Sequence, residues 1–348
     1  MTLQTIADAV GVSRTTVSNA YNRPDQLAPA LRELILSRAR ELGYGGPDPA
    51  ARRLRSGRRD AFGLLFTEQL GYAFTDPAAV LLLQGVARAT EEAQTSLLLV
   101  PVRECGTLRD PIREAVVDGF CVYSLSDGHP ALATVVERGL PTVVVDEPWT
   151  AGLSFVGIDD RSGARAVARH LLDLGHRRVG VILDRVTGDG LAGFVDDARI
   201  AGATYRVTRH RMAGYADAFT TAGIALDGVP TVETATNTRD EGAIAARRLL
   251  EREPGLTALL VMTDQLALGA LDLLHERGAD VPGAVSLVGF DDIPDEATST
   301  PPLTTVRQPL LRKGEEAGRL LVSPPGEPVE VLLPVELVVR GSTGPPPR

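Results

Sequence analysis

The 348-residue sequence is poor in the residues that build metal sites and disulfide frameworks. It contains only two cysteines, Cys105 and Cys121, and five histidines. The cysteines form no CxxC pair, and the histidines are scattered rather than placed at metal-ligand spacing. We therefore expect no metal site, and we interpret both cysteines as buried thiols in a reducing cytoplasm.

The motifs of common enzyme classes are also absent. The sequence has no nucleophile elbow and no phosphate-binding Walker loop. One run, at 188–193, matches GxGxxG, but four residues separate it from the preceding predicted strand. An acidic residue about 20 positions further on, which dinucleotide binding needs, is also missing. We interpret this run as a flexible loop over a cleft, and we predict neither enzymatic activity nor a cofactor.

Two further absences concern the location of the protein. The N-terminus is polar and periodic from Thr2 onward, so it does not have the pattern of a signal peptide. No apolar run reaches the roughly 20 residues that span a bilayer. We expect a cytoplasmic protein that makes no membrane contact.

Charge is distributed unevenly along the chain. The net charge is −9, yet residues 1–60 hold ten arginines against six acidic residues, which gives +4 and leaves −13 for the remainder. A basic module on an acidic body is typical of a DNA-binding head attached to a ligand-binding domain.

The first forty residues have the pattern of a helix-turn-helix unit. Apolar residues at helical spacing predict a helix over 3–10, and Gly11 allows the left-handed turn that ends it. Ser13 is a natural N-cap for a second helix, whose Val17 and Ala20 face the first. The residues left pointing outward are Arg14, Thr15, Thr16, Ser18 and Asn19.

This outward face suits base edges and phosphates, as in helix-turn-helix proteins. The alternative is a solvated helix in an ordinary helical bundle. A third predicted helix begins near Pro29 and is closed by Gly43. Its apolar stripe comprises Leu31, Leu34, Ile35, Ala39 and Leu42.

The sequence from Thr5 to Arg59 resembles the headpiece of the LacI (lactose-repressor) family of bacterial transcription regulators. The matching runs are Ile6-Ala7, Gly11-Val12-Ser13, Thr16-Val17-Ser18, Tyr21-Asn22, Leu42-Gly43-Tyr44 and Pro49-Ala50-Ala51-Arg52-x-Leu54-x-x-Gly57. The resemblance implies that the last run is a hinge helix, which pairs with that of a second subunit in the DNA minor groove. Arg52 would then contact DNA, and Leu54 would insert between base pairs as a wedge.

From Ala61 onward, short apolar runs alternate with helical patterns. This alternation predicts parallel sheets with helices on both faces. Polar residues follow several predicted strands, where ligands bind in such sheets. They would form a ring of acceptors for a polyhydroxylated ligand, although each of them alone is more typical of a helix cap. These residues are Thr67, Glu68, Asp146, Asp184, Thr263, Asp264, Gln265, Asp291 and Asp292.

The LacI resemblance extends through this body in runs such as Gly157-Ile158-Asp159-Asp160, Arg211-Met212-Ala213-Gly214-Tyr215 and Val288-Gly289-Phe290-Asp291-Asp292. It implies two Rossmann-like lobes of the periplasmic-binding-protein type, with crossings near 158, 307 and 328. The expected domains are a headpiece (1–46), a hinge helix and linker (47–60), an N-terminal effector lobe (61–157 plus 308–328), a C-terminal effector lobe (158–307 plus 329–341) and a disordered tail (342–348). Members of the family that form tetramers end in a helix with a leucine heptad. This sequence has no such heptad, so the resemblance implies a homodimer.

The same resemblance implies a set of effector contacts. Arg211 would hold a hydroxyl or carboxylate, and Asp291 would accept from sugar hydroxyls. Asp146 and Asp264 would line the cleft, while Tyr72 and Phe74 would stack on the ligand. The alternatives are a surface ion pair for Arg211 and simple core packing for Tyr72 and Phe74.

Together these patterns predict a sequence-specific DNA-binding regulator, a repressor, that binds a palindromic operator. Arg14, Thr15 and Asn19 would reach base edges, and Thr16 and Ser18 would contact phosphates. A sugar or sugar derivative would bind between the lobes and control DNA binding. The alternative is a cytoplasmic sugar-binding or sugar-modifying protein whose N-terminal helices contact a partner protein.

Overall fold

The computed structural model describes residues 1–46, 59–66, 71–102, 110–225 and 228–347. It divides into two compact units, residues 1–60 and 61–348. Within the described residues, no helix has the length and apolar character needed to cross a membrane. Cys121 is buried and unpaired, and burial raises the pKa of its thiol to about 12. Cys105 lies outside the described residues.

The described part of the N-terminal unit contains three α-helices, Leu3–Val10, Arg14–Asn22 and Pro29–Glu41, and a short 3-10 helix, Pro24–Gln26. Its local structure follows the predicted capping. The Ser13 hydroxyl accepts from the Thr16 N–H at 3.0 Å, and Gly11 has a φ of 74°, which glycine adopts at little cost.

The core of this unit joins all three helices. Its fully buried side chains are Ile6, Ala7, Val17, Ala20, Ile35 and Ala39. The predicted apolar stripe of the third helix is too wide by one residue, because Leu34 is 55% exposed. Leu34 lies at the edge of the stripe, beyond the reach of the two shorter helices.

The first lobe of the second unit is built on a six-stranded parallel sheet. In spatial order its strands are Glu330–Leu333, Ser154–Ile158, Thr142–Val145, Gly119–Tyr123, Ala61–Phe66 and Ser96–Pro101. Its helices are Pro77–Glu92, Pro111–Glu114, Pro130–Glu137 and Leu310–Val322.

Two helices of the first lobe pack unusually closely, because glycines meet at their contact. A Cβ added to Gly85 would lie 2.0 Å from the Leu311 carbonyl oxygen, and one added to Gly314 would lie 2.1 Å from the Leu82 carbonyl oxygen. The helix Leu310–Val322, which follows the second crossing, is therefore fixed directly on the helix Pro77–Glu92.

The second lobe is built on a five-stranded sheet, parallel except at the edge strand Gly193–Phe194. In spatial order its strands are Ser286–Val288, Ala258–Val261, Val179–Leu183, Thr231–Glu233 and Gly193–Phe194. Its helices are Asp160–Asp173, Asp197–Ala201, Arg206–Thr221, Arg239–Arg252 and Asp264–Glu276. The predicted fold class, a helical headpiece followed by two α/β lobes, is confirmed.

The chain passes between the lobes after Ile158, after Arg307 and after Leu333. The third crossing differs from the predicted position near 328. Strand Glu330–Leu333, expected in the C-terminal lobe, pairs with Ser154–Ile158 as an edge strand of the first sheet. A short strand of this kind does not reveal from its sequence which of two sheets it completes. Strand Glu336–Val338 then pairs with Thr305–Arg307.

The predicted disordered tail at 342–348 is wrong for its first residues. Ser342 is fully buried; its hydroxyl donates to the Leu287 carbonyl at 2.6 Å and accepts from the Thr304 N–H at 2.8 Å. The Gly344 carbonyl accepts from the His176 ring at 2.8 Å. Composition alone suggested disorder, whereas these hydrogen bonds hold residues 342–344 against the second lobe.

Candidate functional site

The helix Arg14–Asn22 carries a polar face opposite its buried Val17 and Ala20. On this face Arg14 and Thr15 are exposed, while the side chains of Thr16, Ser18 and Asn19 are half-buried. All five predicted DNA-contact residues of this helix therefore lie on its outer side.

These residues differ in their internal hydrogen bonds. The Thr16 hydroxyl lies 2.8 Å from that of Ser13, and the Asn22 amide donates to the carbonyl and hydroxyl oxygens of Ser18 at 3.0 and 3.2 Å. Across the described part of the chain, the side chains of Arg14, Thr15 and Asn19 make no hydrogen bond. Their donors and acceptors are available to an external partner. Arg52 and Leu54 lie outside the described residues.

A cavity lies between the two lobes, where strands of both sheets end. The first lobe contributes Tyr123, Asp146 and Glu147, and the second contributes Asp184 and Asp291. The space open to the centre of a water-sized sphere is about 80 Å³. This space is large enough to hold several waters or a small polar ligand.

The backbone around this cavity is locally strained. Ser124, Asp146 and Asp291 follow three different strands and have φ values of 55°, 63° and 134°. Non-glycine residues with positive φ are uncommon, and such conformations concentrate at binding sites. The loops beyond these strands are therefore shaped to direct side chains into the cavity.

Asp146 is held by the only lysine of the sequence, Lys313. The fully buried Lys313 ammonium donates to both carboxylate oxygens of Asp146, at 2.7 and 2.8 Å, and to the Gln308 side-chain oxygen. Lys313 comes from the helix Leu310–Val322, so the second crossing of the chain is coupled directly to the cavity wall.

Gln308 extends this network into the second lobe by donating to Asp291. Burial raises the pKa of Asp291 well above its usual range, although the guanidinium of Arg211, 3.9 Å away, opposes the rise. Arg211 itself is buried, pairs with Asp160 at 2.9 Å and stacks on Phe290 at 3.6 Å from the ring centre. It is not a surface ion pair.

Two other carboxyl groups of the cavity were not predicted as effector contacts. Burial raises the pKa of Glu147 to about 8, although the Val207 N–H, which donates to it at 3.0 Å, opposes the rise. Burial also raises the pKa of Asp76 to about 6. At neutral pH the cavity therefore contains protonated as well as ionised carboxyl groups.

Comparison with known proteins identifies the family. Residues 2–46 match the "Bacterial regulatory proteins, lacI family" domain, and residues 168–343 match the "Periplasmic binding protein-like domain". An HTH-type transcriptional regulator of Mycobacterium tuberculosis is 46% identical over 99% of this chain and 97% of its own. The chain belongs to the LacI family.

Solved structures agree with this assignment. A LacI-family transcriptional regulator from Corynebacterium glutamicum is 36% identical, has a TM-score of 0.75 and is covered over 98% of its chain by 99% of this one. The transcriptional regulator CelR in complex with cellobiose is 29% identical, with a TM-score of 0.71 over 99% of this chain and all of that one. The LacI family consists of transcriptional regulators rather than enzymes, as the sequence predicts.

Two effector contacts that the LacI resemblance implied lie elsewhere in the structure. Phe74 is 64% exposed and is not among the residues that line the cavity. Asp264 is fully buried; its oxygens accept from the N–H groups of Asp292 and Ile293 at 2.7 and 3.3 Å and from the Thr305 hydroxyl at 2.8 Å. Asp264 therefore holds a loop, whereas Thr263 is the N-cap of the helix Asp264–Glu276.

Four of the predicted effector contacts, Tyr72, Asp146, Arg211 and Asp291, line the cavity of this LacI-family protein. The Tyr72 hydroxyl accepts from the Asn237 amide at 3.0 Å, which links the two lobes. The Thr263 hydroxyl donates to the side-chain carbonyl oxygen of Asn237 at 2.5 Å. Asn237 and Gln308 have no distinctive sequence pattern, so only the structure identifies them. Among the described residues, no group of three or more potential ligands could hold a metal ion.

Proposed function

We propose that this LacI-family regulator is a cytoplasmic, homodimeric repressor that binds a palindromic operator and responds to a sugar-like effector between its lobes. The observation that carries the proposal is the outer face of the helix Arg14–Asn22. Arg14, Thr15 and Asn19 present side chains without internal hydrogen bonds among the described residues, on a helix whose opposite face is packed into the headpiece core.

Each residue of this face has a role that fits its chemistry. Arg14 suits a bidentate contact to guanine and Asn19 one to adenine, while Thr15 reaches a neighbouring base edge. Thr16 and Ser18, whose hydroxyls already take part in local hydrogen bonds, contact phosphates and fix the register of the helix on DNA. Arg52 and Leu54 are proposed from the sequence alone: Arg52 contacts DNA, and Leu54 inserts between base pairs in the minor groove.

The effector site is the cavity between the lobes, with Tyr72, Asp146, Arg211 and Asp291 as proposed contacts. Hydroxyl groups match its many carboxylate and amide acceptors. The related CelR structure contains the disaccharide cellobiose. The effector of this protein is therefore proposed to be a sugar or a sugar derivative.

DNA binding is tested by selecting duplexes from a random pool with the full-length protein, then measuring the affinity for the selected duplex by fluorescence anisotropy. A two-fold symmetric consensus and nanomolar binding are expected. Leu54→Ala is expected to weaken binding, while Leu34→Ala, which removes an exposed headpiece leucine, leaves binding unchanged. Binding that is weak, salt-sensitive and independent of sequence would instead favour a sugar-binding protein with a basic headpiece.

Effector control is tested by titrating monosaccharides into the protein–operator complex. Occupancy of the cavity is expected to change operator affinity by about five- to 150-fold, the usual range for coupled sites. A protein that binds its operator but whose affinity responds to no small molecule would retain the DNA-binding role and lose the regulatory one.

A further inference from the structure

The carboxylates of the cavity differ in how far the protein already satisfies them. Asp146 is bound by Lys313, and Asp291 accepts from Gln308 and faces Arg211. Each of these two aspartates therefore has an internal partner of opposite charge, which limits what it can offer to a ligand.

Asp76 is different. It caps the helix Pro77–Glu92, and its Oδ2 accepts from the Ala79 N–H at 2.9 Å. Its other oxygen, Oδ1, is buried and accepts no hydrogen bond of normal geometry among the described residues, although the nearby Tyr72 hydroxyl opposes the rise that burial causes in the pKa of the carboxyl group. The residue is only 5% exposed and lines the cavity. A buried acceptor without a donor is costly, and at a cavity wall it indicates that a ligand supplies the donor.

Asp184 has the corresponding position on the second lobe, directly after the strand Val179–Leu183. Its Oδ1 is buried and pairs with the Arg185 guanidinium at 3.4 Å, but this oxygen accepts no hydrogen bond in the described structure. The charge of Asp184 raises the pKa of Asp76, after burial itself, which is the larger cause. Asp76 and Asp184 also line the same cavity, one from each lobe.

We propose that Asp76 and Asp184 bind the effector by hydrogen bonds from opposite lobes, and that the site selects a polyhydroxylated ligand without phosphate or carboxylate groups. This inference rests on the proposed function, since it names the ligand class of the same cavity. Hydroxyl groups of one ligand would donate to Asp76 Oδ1 and to Asp184 Oδ1, replacing the repulsion between the two carboxylates by a bridge.

The positive charges of the site support exclusion of anions. Lys313, Arg211 and Arg185 each already face a carboxylate, namely Asp146, Asp160 and Asp184. An anionic ligand would have to compete with these carboxylates for their cations and would also approach Asp76. Two negative charges brought close together in a buried cavity repel each other strongly, because little water is present to screen them.

A first test uses the ligand-free protein. Asn caps helices as well as Asp does, so Asp76→Asn preserves the cap while removing the unsatisfied charge. If the Asp76 carboxylate is unsatisfied in the absence of ligand, removing its charge is expected to stabilise the protein and to raise the Tm at pH 7 by about 2 °C or more. The matched control is Asp159→Asn, which replaces an exposed cap of the helix Asp160–Asp173 and is expected to give no increase. A lower Tm for Asp76→Asn would assign Asp76 a purely structural role and overturn the proposal.

A second test titrates ribose, glucose and galactose, and the phosphate ester of each, into the full-length protein by calorimetry. Binding is expected only among the neutral sugars, and Asp76→Asn and Asp184→Asn are each expected to weaken it by about tenfold or more, since hydrogen bonds to charged groups contribute ~1.5–3 kcal/mol. Asp159→Asn is expected to bind as the wild type does.

The outcomes separate the two proposals. Binding of phosphate esters in preference to the neutral sugars, or full affinity in both cavity variants, would overturn the assignment of Asp76 and Asp184. If no sugar binds but Asp76→Asn is still stabilised, the pair of acceptors stands and the sugar effector of the proposed function fails.

Discussion

Lys313 donates to both carboxylate oxygens of Asp146 without exposing any part of its own side chain. The two residues come from distant parts of the chain, since Asp146 follows the strand Thr142–Val145 and Lys313 belongs to the helix Leu310–Val322. Neither group has an alternative counter-ion in direct contact among the described residues. The stability of the cavity wall therefore depends on both members being present.

Removing one member of this pair should be much more harmful than removing both. Lys313→Met leaves a carboxylate uncompensated and is expected to lower the free energy of unfolding by about 3–5 kcal/mol. Lys313→Met combined with Asp146→Asn is expected to recover most of that loss. Chemical denaturation of the four proteins of this cycle provides the measurement.

The control for that cycle is Arg312→Met, which removes a positive charge from the adjacent, exposed position of the same helix. A change within about ±0.5 kcal/mol is expected there. A loss in the double variant equal to the sum of the losses in the two single variants would mean that the ion pair contributes no coupling.

Glu147 should make stability depend on pH in the direction opposite to that of most carboxylates. Its pKa is raised to about 8 in the folded protein by burial and is near 4.5 when unfolded. Between these values the folded state holds the proton more tightly, so stability is full below about pH 4.5 and is lost as the pH rises through about 8. The slope is at most about 1.4 kcal/mol per pH unit.

Glu147→Gln should remove this contribution, because the amide keeps a polar group of the same shape without a titrating charge. Denaturation curves recorded from pH 5 to pH 9 are expected to show a smaller fall in stability for the variant. Glu137→Gln, at an exposed position, serves as the control and should retain the wild-type slope. A wild-type slope in Glu147→Gln would show that another group causes the fall.

Substitutions in and near the helix Arg14–Asn22 should distinguish residues that contact bases from residues that only attract DNA through charge. Asn19→Ala is expected to reduce discrimination at one operator position by about 1–3 kcal/mol, with a smaller effect on nonspecific DNA. Arg38→Ala, which removes an exposed arginine from the third helix, should leave sequence preference intact. Binding to operators substituted at each position measures both effects. An unchanged preference profile for Asn19→Ala would exclude it as a base contact.

The contact between the helices Pro77–Glu92 and Leu310–Val322 should not tolerate a single methyl group. Gly85→Ala and Gly314→Ala would each place a Cβ about 2 Å from a backbone carbonyl oxygen, which forces the helices apart. Each is expected to cost about 1–3 kcal/mol or more in chemical denaturation. Gly326→Ala, with no atom within 4 Å of the added Cβ, is the control. Near-neutral effects at Gly85 and Gly314 would contradict this packing.

Local patterns made most of the fold predictable. Capping at Ser13, the turn at Gly11 and the alternation of strands and helices each depend on neighbours in sequence. The assignment of Glu330–Leu333 to the first sheet depends instead on pairing with Ser154–Ile158, far away in the chain. Such a choice between two sheets has no local cause and is therefore invisible in the sequence.

The same distinction explains the outcome at the cavity. Sequence patterns located acidic residues after the strands, but not the donors that satisfy each of them. Asp264 accepts hydrogen bonds from two backbone N–H groups, and Asp146 forms an ion pair with a lysine more than 160 residues away in the sequence. Asp76 caps the helix Pro77–Glu92, and the sequence cannot distinguish a cap from a ligand contact because both require the same residue type.

Because Lys313 is the only lysine and is fully buried, the folded surface offers no side-chain amine to electrophiles. Acylating reagents and amine-directed dyes should modify the native protein only at its N-terminus. Labelling of Lys313 would require the first lobe to open. The rate at which this single amine reacts would therefore measure how often the first lobe unfolds transiently.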